Sequence, residues 1–281
     1  MDNIQQQFKS LLTLPENTNA MSIKEQQQWL NTHNAFFRLN YSNTVEGANA
    51  LLWFENHFSK TINSFAKLQK TKTPVASSVW QKTFNASVFT SLTAHRVVFN
   101  KVPKLSLADL SLSIDDAHRV KTAYASENPE FYTLDTNPDN PKAITVRNQD
   151  ELDSRLVEVI KAIAEPLLPH FKEQKVGNRV FWGNTLYACS LAFTKLAPTY
   201  VESEFDVGAM QEWQAQLSDK IIRNGHKLNQ IKKVHNENFQ KLFIRRETCC
   251  LKYKIAGKAM CKTCNLYTPE EQEELFKIKN G

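Results

Sequence analysis

Four of the five cysteines in this 281-residue chain fall between Cys249 and Cys264, in the run RRETCCLKYKIAGKAMCKTC. Their spacing is C-C-x10-C-x2-C. Four thiolates satisfy one tetrahedral zinc ion or both irons of a [2Fe–2S] cluster. Cys261 and Cys264 stand one turn apart, so both sulfurs can face one metal. The adjacent pair Cys249–Cys250 is the unusual part. Neighbouring side chains of an extended strand point to opposite faces, so both reach one site only if the backbone turns there. Zinc modules usually separate paired ligands by two to four residues. The pair leans toward a two-iron cluster, which is wider than a single ion. On spacing alone, zinc and a redox disulfide stay open.

The charge of the chain gathers around these cysteines. Between Lys220 and Lys262 there are twelve lysines and arginines against Glu237 and Glu247, although the whole chain carries only +6. The remainder is therefore net acidic. Arg245, Arg246, Lys252, Lys254, Lys258 and Lys262 flank the thiols and are candidates for binding an anionic substrate or an acidic partner. Such a field weakens as salt rises. Few aromatics interleave with this basic run, which disfavours stacking on single-stranded nucleic acid, so no nucleic acid is expected as a partner.

Other chemistries lack their residues. Seven glycines in 281 residues leave no GxGxxG and no GxxxxGK[ST], so a dinucleotide fold or a P-loop is not expected. Any electron must then come from an external donor. The N-terminus lacks a basic, apolar leader, and no run approaches the roughly 18 apolar residues of a membrane span. A soluble, cytoplasmic protein is expected, in which clustered cysteines are metal ligands or redox groups more readily than structural disulfides. Cys189, within an apolar segment, reads as core. His95, His226 and His235 read as satisfied or solvent-facing, Phe181 and Trp182 as core or pocket lining, and Asp115–Asp116 as a turn.

The elements that must position the cysteines follow from periodicity. Residues 1–35 read as polar helix. Apolar residues at helical spacing predict helices over about 45–68 and 77–98. Alternation of Leu110, Leu112 and Ile114, then Val120, Thr122 and Tyr124, predicts a hairpin. FYTL (131–134) and AITV (143–146) read as short strands around the turn TNPDNP. Helices follow after Asn148 or Asp150, over 178–196 (buried on nearly all sides), over 207–222 and over 228–244. The fold class is α+β, mainly helical with a small antiparallel sheet near 105–146.

Arg246, Cys249–Cys250, Leu251, Tyr253 and Cys261-x-x-Cys264 together closely resemble the C-terminal signature of the FhuF-type ferric siderophore reductases. Trp182-Gly183-Asn184 is a weaker echo of the same family, and Ile255-Ala256 departs from the Leu-Pro found in many relatives. The resemblance implies that Cys249, Cys250, Cys261 and Cys264 ligate a [2Fe–2S] cluster. It implies one-electron reduction of siderophore-bound Fe(III), with hydroxamate siderophores favoured. The implied donor is a ferredoxin or an NAD(P)H-dependent reductase. On this reading residues 1–244 form the mainly helical domain, and 245–281 form an iron–sulfur segment packed on it.

Overall fold

The structure, a computed structural model, describes residues 4, 6–8, 12–15, 18, 20–43, 47–136, 140–197, 206–236 and 239–278, without the side chains of 235, 236, 239, 240 and 278. Its centre is a pair of long helices, α3 (Thr73–Phe99) and α6 (Asn178–Leu196). Helices α1 (Ile23–His33) and α2 (Ala50–Leu68) precede α3, and α4 (Gln149–Ala164) and α5 (Leu168–Glu173) lie between α3 and α6 in the chain. Then come α7 (Val207–Ile221) and α8 (Pro269–Ile278).

The central pair meets through a polar seam inside an otherwise apolar core. Gln81 Nε2 donates to the Phe181 carbonyl at 3.0 Å, Asn85 Nδ2 to Thr185 Oγ1 at 3.2 Å, and Thr90 Oγ1 to the Ala188 carbonyl at 3.0 Å. Buried polar groups are tolerable only when paired in this way. These bonds fix the sliding register of the two helices, which apolar contact alone leaves loose.

Local chemistry sets the helix starts. Ser22 and Glu25 form a capping box for α1. Asn49 caps α2, and Asn148 caps α4 by accepting from the Glu151 amide at 2.9 Å. Cys189 is buried in α6, where burial pushes its thiol up to about 12. Phe181 and Trp182 are buried as well.

The strands near 105–146 are present, but the sheets are mixed rather than purely antiparallel. The expected hairpin is β4 (Leu110–Ile114) with β5 (Val120–Ala125), antiparallel. It is extended by β1 (Leu39–Tyr41), parallel to β5, and by β2 (Ala48–Asn49). A second sheet joins β3 (Lys101–Pro103), β6 (Phe131–Thr133) and β7 (Ala143–Thr145), with β6 and β7 parallel. The added strands are two or three residues long, too short for any alternation to register in sequence.

The helix expected over 228–244 is instead an antiparallel hairpin, β8 (Asn229–Asn236) and β9 (Phe239–Arg246), pairing Ile231 with Ile244 and Asn229 with Arg246. The physical reason is burial on both faces. Ile231 and Leu242 join the main core, whereas Val234 and Phe243 face the other way and pack with Phe276 of α8. Residues 231 and 234 therefore mimic an i, i+3 helical stripe while pointing to opposite sides of a strand. Val45, residues 137–139 and most of the first nineteen residues lie outside the description, as does the side chain of His235. Among the described residues no helix is long and apolar enough to cross a membrane.

Candidate metal centre

Strand β9 runs directly into the cysteines. From Arg245 to Cys250 burial alternates residue by residue, with Arg246, Thr248 and Cys250 inward and Arg245, Glu247 and Cys249 partly exposed. The inward–outward alternation of the hairpin thus carries on through the bend at Glu247 and Thr248, leaving Cys250 buried and Cys249 partly exposed. The turn that this pair requires comes next. Leu251 adopts the left-handed conformation (φ 62°, ψ 3°), which costs a non-glycine residue roughly 1–2 kcal/mol. Its amide then donates to Cys249 Sγ at 3.2 Å, and the short 3-10 turn Lys252–Lys254 follows.

The inward residues are locked onto the central helices. Arg246 Nη2 donates to Asn184 Oδ1 at 2.6 Å, and the Asn184 amide donates to Ser78 and to Gln81 Oε1. Ser78 Oγ in turn donates to the Cys250 carbonyl at 3.1 Å. Thr248 lies on Gly183, where a Cβ would stand 2.1 Å from Thr248 Oγ1. Only glycine allows the cysteine strand this approach to α6.

The second half of the motif is a turn closed by the Cys264 amide on the Cys261 carbonyl at 2.8 Å. Gln272 of α8 clamps it by donating to the Cys264 carbonyl at 2.7 Å. Cys250 and Cys261 Sγ lie 3.9 Å apart. Among the described residues no three His, Cys, Asp or Glu side chains gather as one bound ion would need.

Electrostatics ties the four thiols together. Burial raises the Cys249 thiol, opposed by the Leu251 amide and reinforced by the charges of Cys250 and Cys264. Cys250 is pushed down, first by its hydrogen bond with Cys261, while Cys261 is raised by that same bond. The charges of Lys82 and Arg246 favour thiolate at both. Arg246 is itself buried, 4.5 Å from the Tyr187 ring centroid, and its Nε and Nη1 have no protein partner. A buried guanidinium with two orphaned donors, its charge felt at Cys249, Cys250 and Cys261, suits an anionic sulfur-ligated group.

The other candidate cations do different things. Arg245 pairs with Glu247 at 2.9 Å. Lys262 donates to the Leu275 carbonyl at 2.9 Å and lies over Phe276, fastening α8. Lys254 and Lys258 are exposed. Lys252 lines an open groove with Phe36, Arg38, Lys82, Tyr187 and Lys195. Of these groove residues, sequence reasoning named only Lys252. The others come from α3, α6 and the segment before β1, and nothing in their local spacing marks them. His226 pairs with Asp219 at 2.7 Å, and His95 is buried between Gln26 and Gln27.

This arrangement sets four cysteine thiols into the edge of a helical core. Residues 246–264 match the family model of the FhuF 2Fe-2S C-terminal domain, which begins at the buried arginine and ends at the fourth cysteine. Over these residues the chain carries that domain, and its cofactor is a [2Fe–2S] cluster. No curated protein matches the chain.

Proposed function

We propose that this chain is a cytoplasmic ferric-siderophore reductase, in which Cys249, Cys250, Cys261 and Cys264 hold the cluster. The supporting observation is one juxtaposition: Lys82 and Lys252 belong both to the surroundings of the thiols and to an open groove. When bound, the cluster supplies a single electron at a time. The residues of the chain hold it and bring the ferric chelate near. Arg246, buried with two free donors, offsets its negative charge. The Leu251 amide supplies a hydrogen bond to one ligand sulfur, and such bonds raise a cluster's potential.

The substrate's Fe(III) is held by hard oxygen donors that bind Fe(II) weakly, so one electron is enough to loosen it. No acid–base pair or nucleophile is required. The electron donor is a small acidic ferredoxin or an NAD(P)H-dependent reductase, docking against exposed cations such as Lys254 and Lys258.

Freshly purified protein should be red-brown, bleach with dithionite, and give a paramagnetic signal of one unpaired electron per two irons. The reduced protein should then convert a ferric siderophore to Fe(II) captured by a ferrous chelator. Stoichiometric zinc in a colourless protein would overturn the reading. A coloured protein inert toward every ferric chelate would instead indicate a sensor. Replacing each of the four cysteines by serine should lower bound iron, whereas Cys189→Ser should not.

A further inference from the structure

The groove beside the thiols has an unusual charge. Its volume is about 380 Å³, within the ordinary range for small-molecule sites. Arg38, Lys82, Lys195 and Lys252 line it, and no aspartate or glutamate does. Among the described residues, none of these four cations forms an ion pair with a carboxylate.

Two aromatic rings stand among the cations. Lys195 Nζ lies 3.9 Å and the Arg38 guanidinium 5.6 Å from the Phe36 centroid, and Lys82 Nζ lies 5.4 Å from that of Tyr187. Phe36 is exposed despite its size. Holding four like charges around one concavity is unfavourable unless an anion joins them. Burial, and then the charge of Lys241 outside the groove, lower the pKa of Lys195.

The groove is therefore built for a ligand with negative charge and flat apolar faces. Ferric chelates differ in just this property. Three catecholates leave a ferric complex at −3, and citrate-type carboxylates also leave it anionic. Three hydroxamates neutralise Fe(III) and present a coordination core without net charge. We propose that this groove is the substrate site and selects anionic ferric chelates over charge-neutral ones. This rests on the ferric-reductase reading and departs from the hydroxamate preference that the family resemblance implies.

The test separates binding from electron transfer by using redox-inert gallium(III) complexes with the cluster-loaded protein. Gallium tris-catecholate should bind at least tenfold more tightly at low salt than a neutral gallium trihydroxamate, and added salt should narrow the gap. The gallium citrate complex reports whether charge suffices without aromatic rings. Anion preference in both complexes assigns the selectivity to charge, and preference for the catecholate alone assigns it to charge and rings together. Either result supports the proposal.

The double variant Arg38→Gln with Lys195→Gln should lose at least tenfold in affinity for the tris-catecholate while keeping the iron content of the parent. Lys195→Arg should retain that affinity. Equal or tighter binding of the neutral complex, or unchanged affinity in the double variant, would overturn the proposal. If the neutral ferric complex is reduced yet the anionic gallium complexes do not bind, the reductase reading survives and the groove assignment falls. If the anionic complexes bind yet no ferric chelate is reduced, the groove assignment stands and the reductase reading falls.

Discussion

Arg246 Nη2 meets Asn184 Oδ1 at 2.6 Å across 62 residues of sequence, with both side chains buried. This contact joins the last residue of β9 to the first turns of α6. Through Asn184 it reaches Ser78 and Gln81 of α3, and through Ser78 it returns to the carbonyl of Cys250. The loop of polar contacts is closed, so the position of the first cysteine pair is set by the register of two core helices.

Asn184→Ala breaks that loop at its most connected member. Leaving Arg246, Ser78 and Gln81 short of a partner should cost about 1–3 kcal/mol. Thermal unfolding should shift down, and iron per chain should fall in the same variant. A variant with parental unfolding and full iron would show that the network does not position the thiols.

Gly183→Ala tests the close approach separately. The added Cβ would fall 2.1 Å from Thr248 Oγ1 and 2.7 Å from Thr248 Cβ, so the strand two residues before Cys250 must move. Iron content should drop with little change in helicity by circular dichroism. Thr248→Gly in the same chain removes the opposing atoms and should restore part of the iron. Thr248→Ser should not, because the Cβ contact remains.

His95 provides a pH dependence of folding. Burial first, and the charge of Lys101 second, lower its pKa from 6.5 to about 3. The unfolded chain therefore binds a proton below pH 6.5 that the folded chain refuses. The associated stability is complete above pH 6.5 and is lost as pH falls toward 3, at about 1.4 kcal/mol per unit. Between pH 7 and 5 the wild type should lose about 2 kcal/mol more unfolding free energy than His95→Gln. Both ring nitrogens face glutamine oxygens, at 3.3 and 3.2 Å. A flat difference between the two proteins would mean that these acceptors keep the ring protonated.

Docking of an acidic donor on Lys254, Lys258 and the neighbouring cations should be salt-dependent. With a ferredoxin as donor, KM should rise steeply toward about 1 M salt, where the screening length falls to about 3 Å. Reduction by dithionite, which needs no docking, should change far less. A flat response with the ferredoxin would remove electrostatics from the encounter.

The cysteine motif was legible because four thiols at fixed spacing are rare and chemically specific, and residues 246–264 match the family model. Long one-period segments were legible too, as in α3, α6 and the capped α4. The β8–β9 hairpin was not, because coverage of both its faces destroyed the alternation that identifies a strand. The groove was hidden for another reason. Arg38, Lys82 and Lys195 come from three separate parts of the chain, and each alone reads as an ordinary surface cation; only Lys252, beside the cysteines, stood out. Conversely, Arg245 and Lys262 sit beside the cysteines in sequence, yet one is engaged by Glu247 and the other by the backbone of α8.

The alternation that runs from Arg246 to Cys250 also accounts for the missing spacer in the cysteine pair. The strand acts as a two-stroke ruler whose even marks are fixed to α3 and α6. One inserted residue between Arg246 and Cys249 would exchange inside for outside and bring the carbonyl of Cys249, in place of that of Cys250, to Ser78. Two would restore parity but overshoot the anchor. Adjacent cysteines are the shortest word this ruler can write that offers one thiol to each side of the chain.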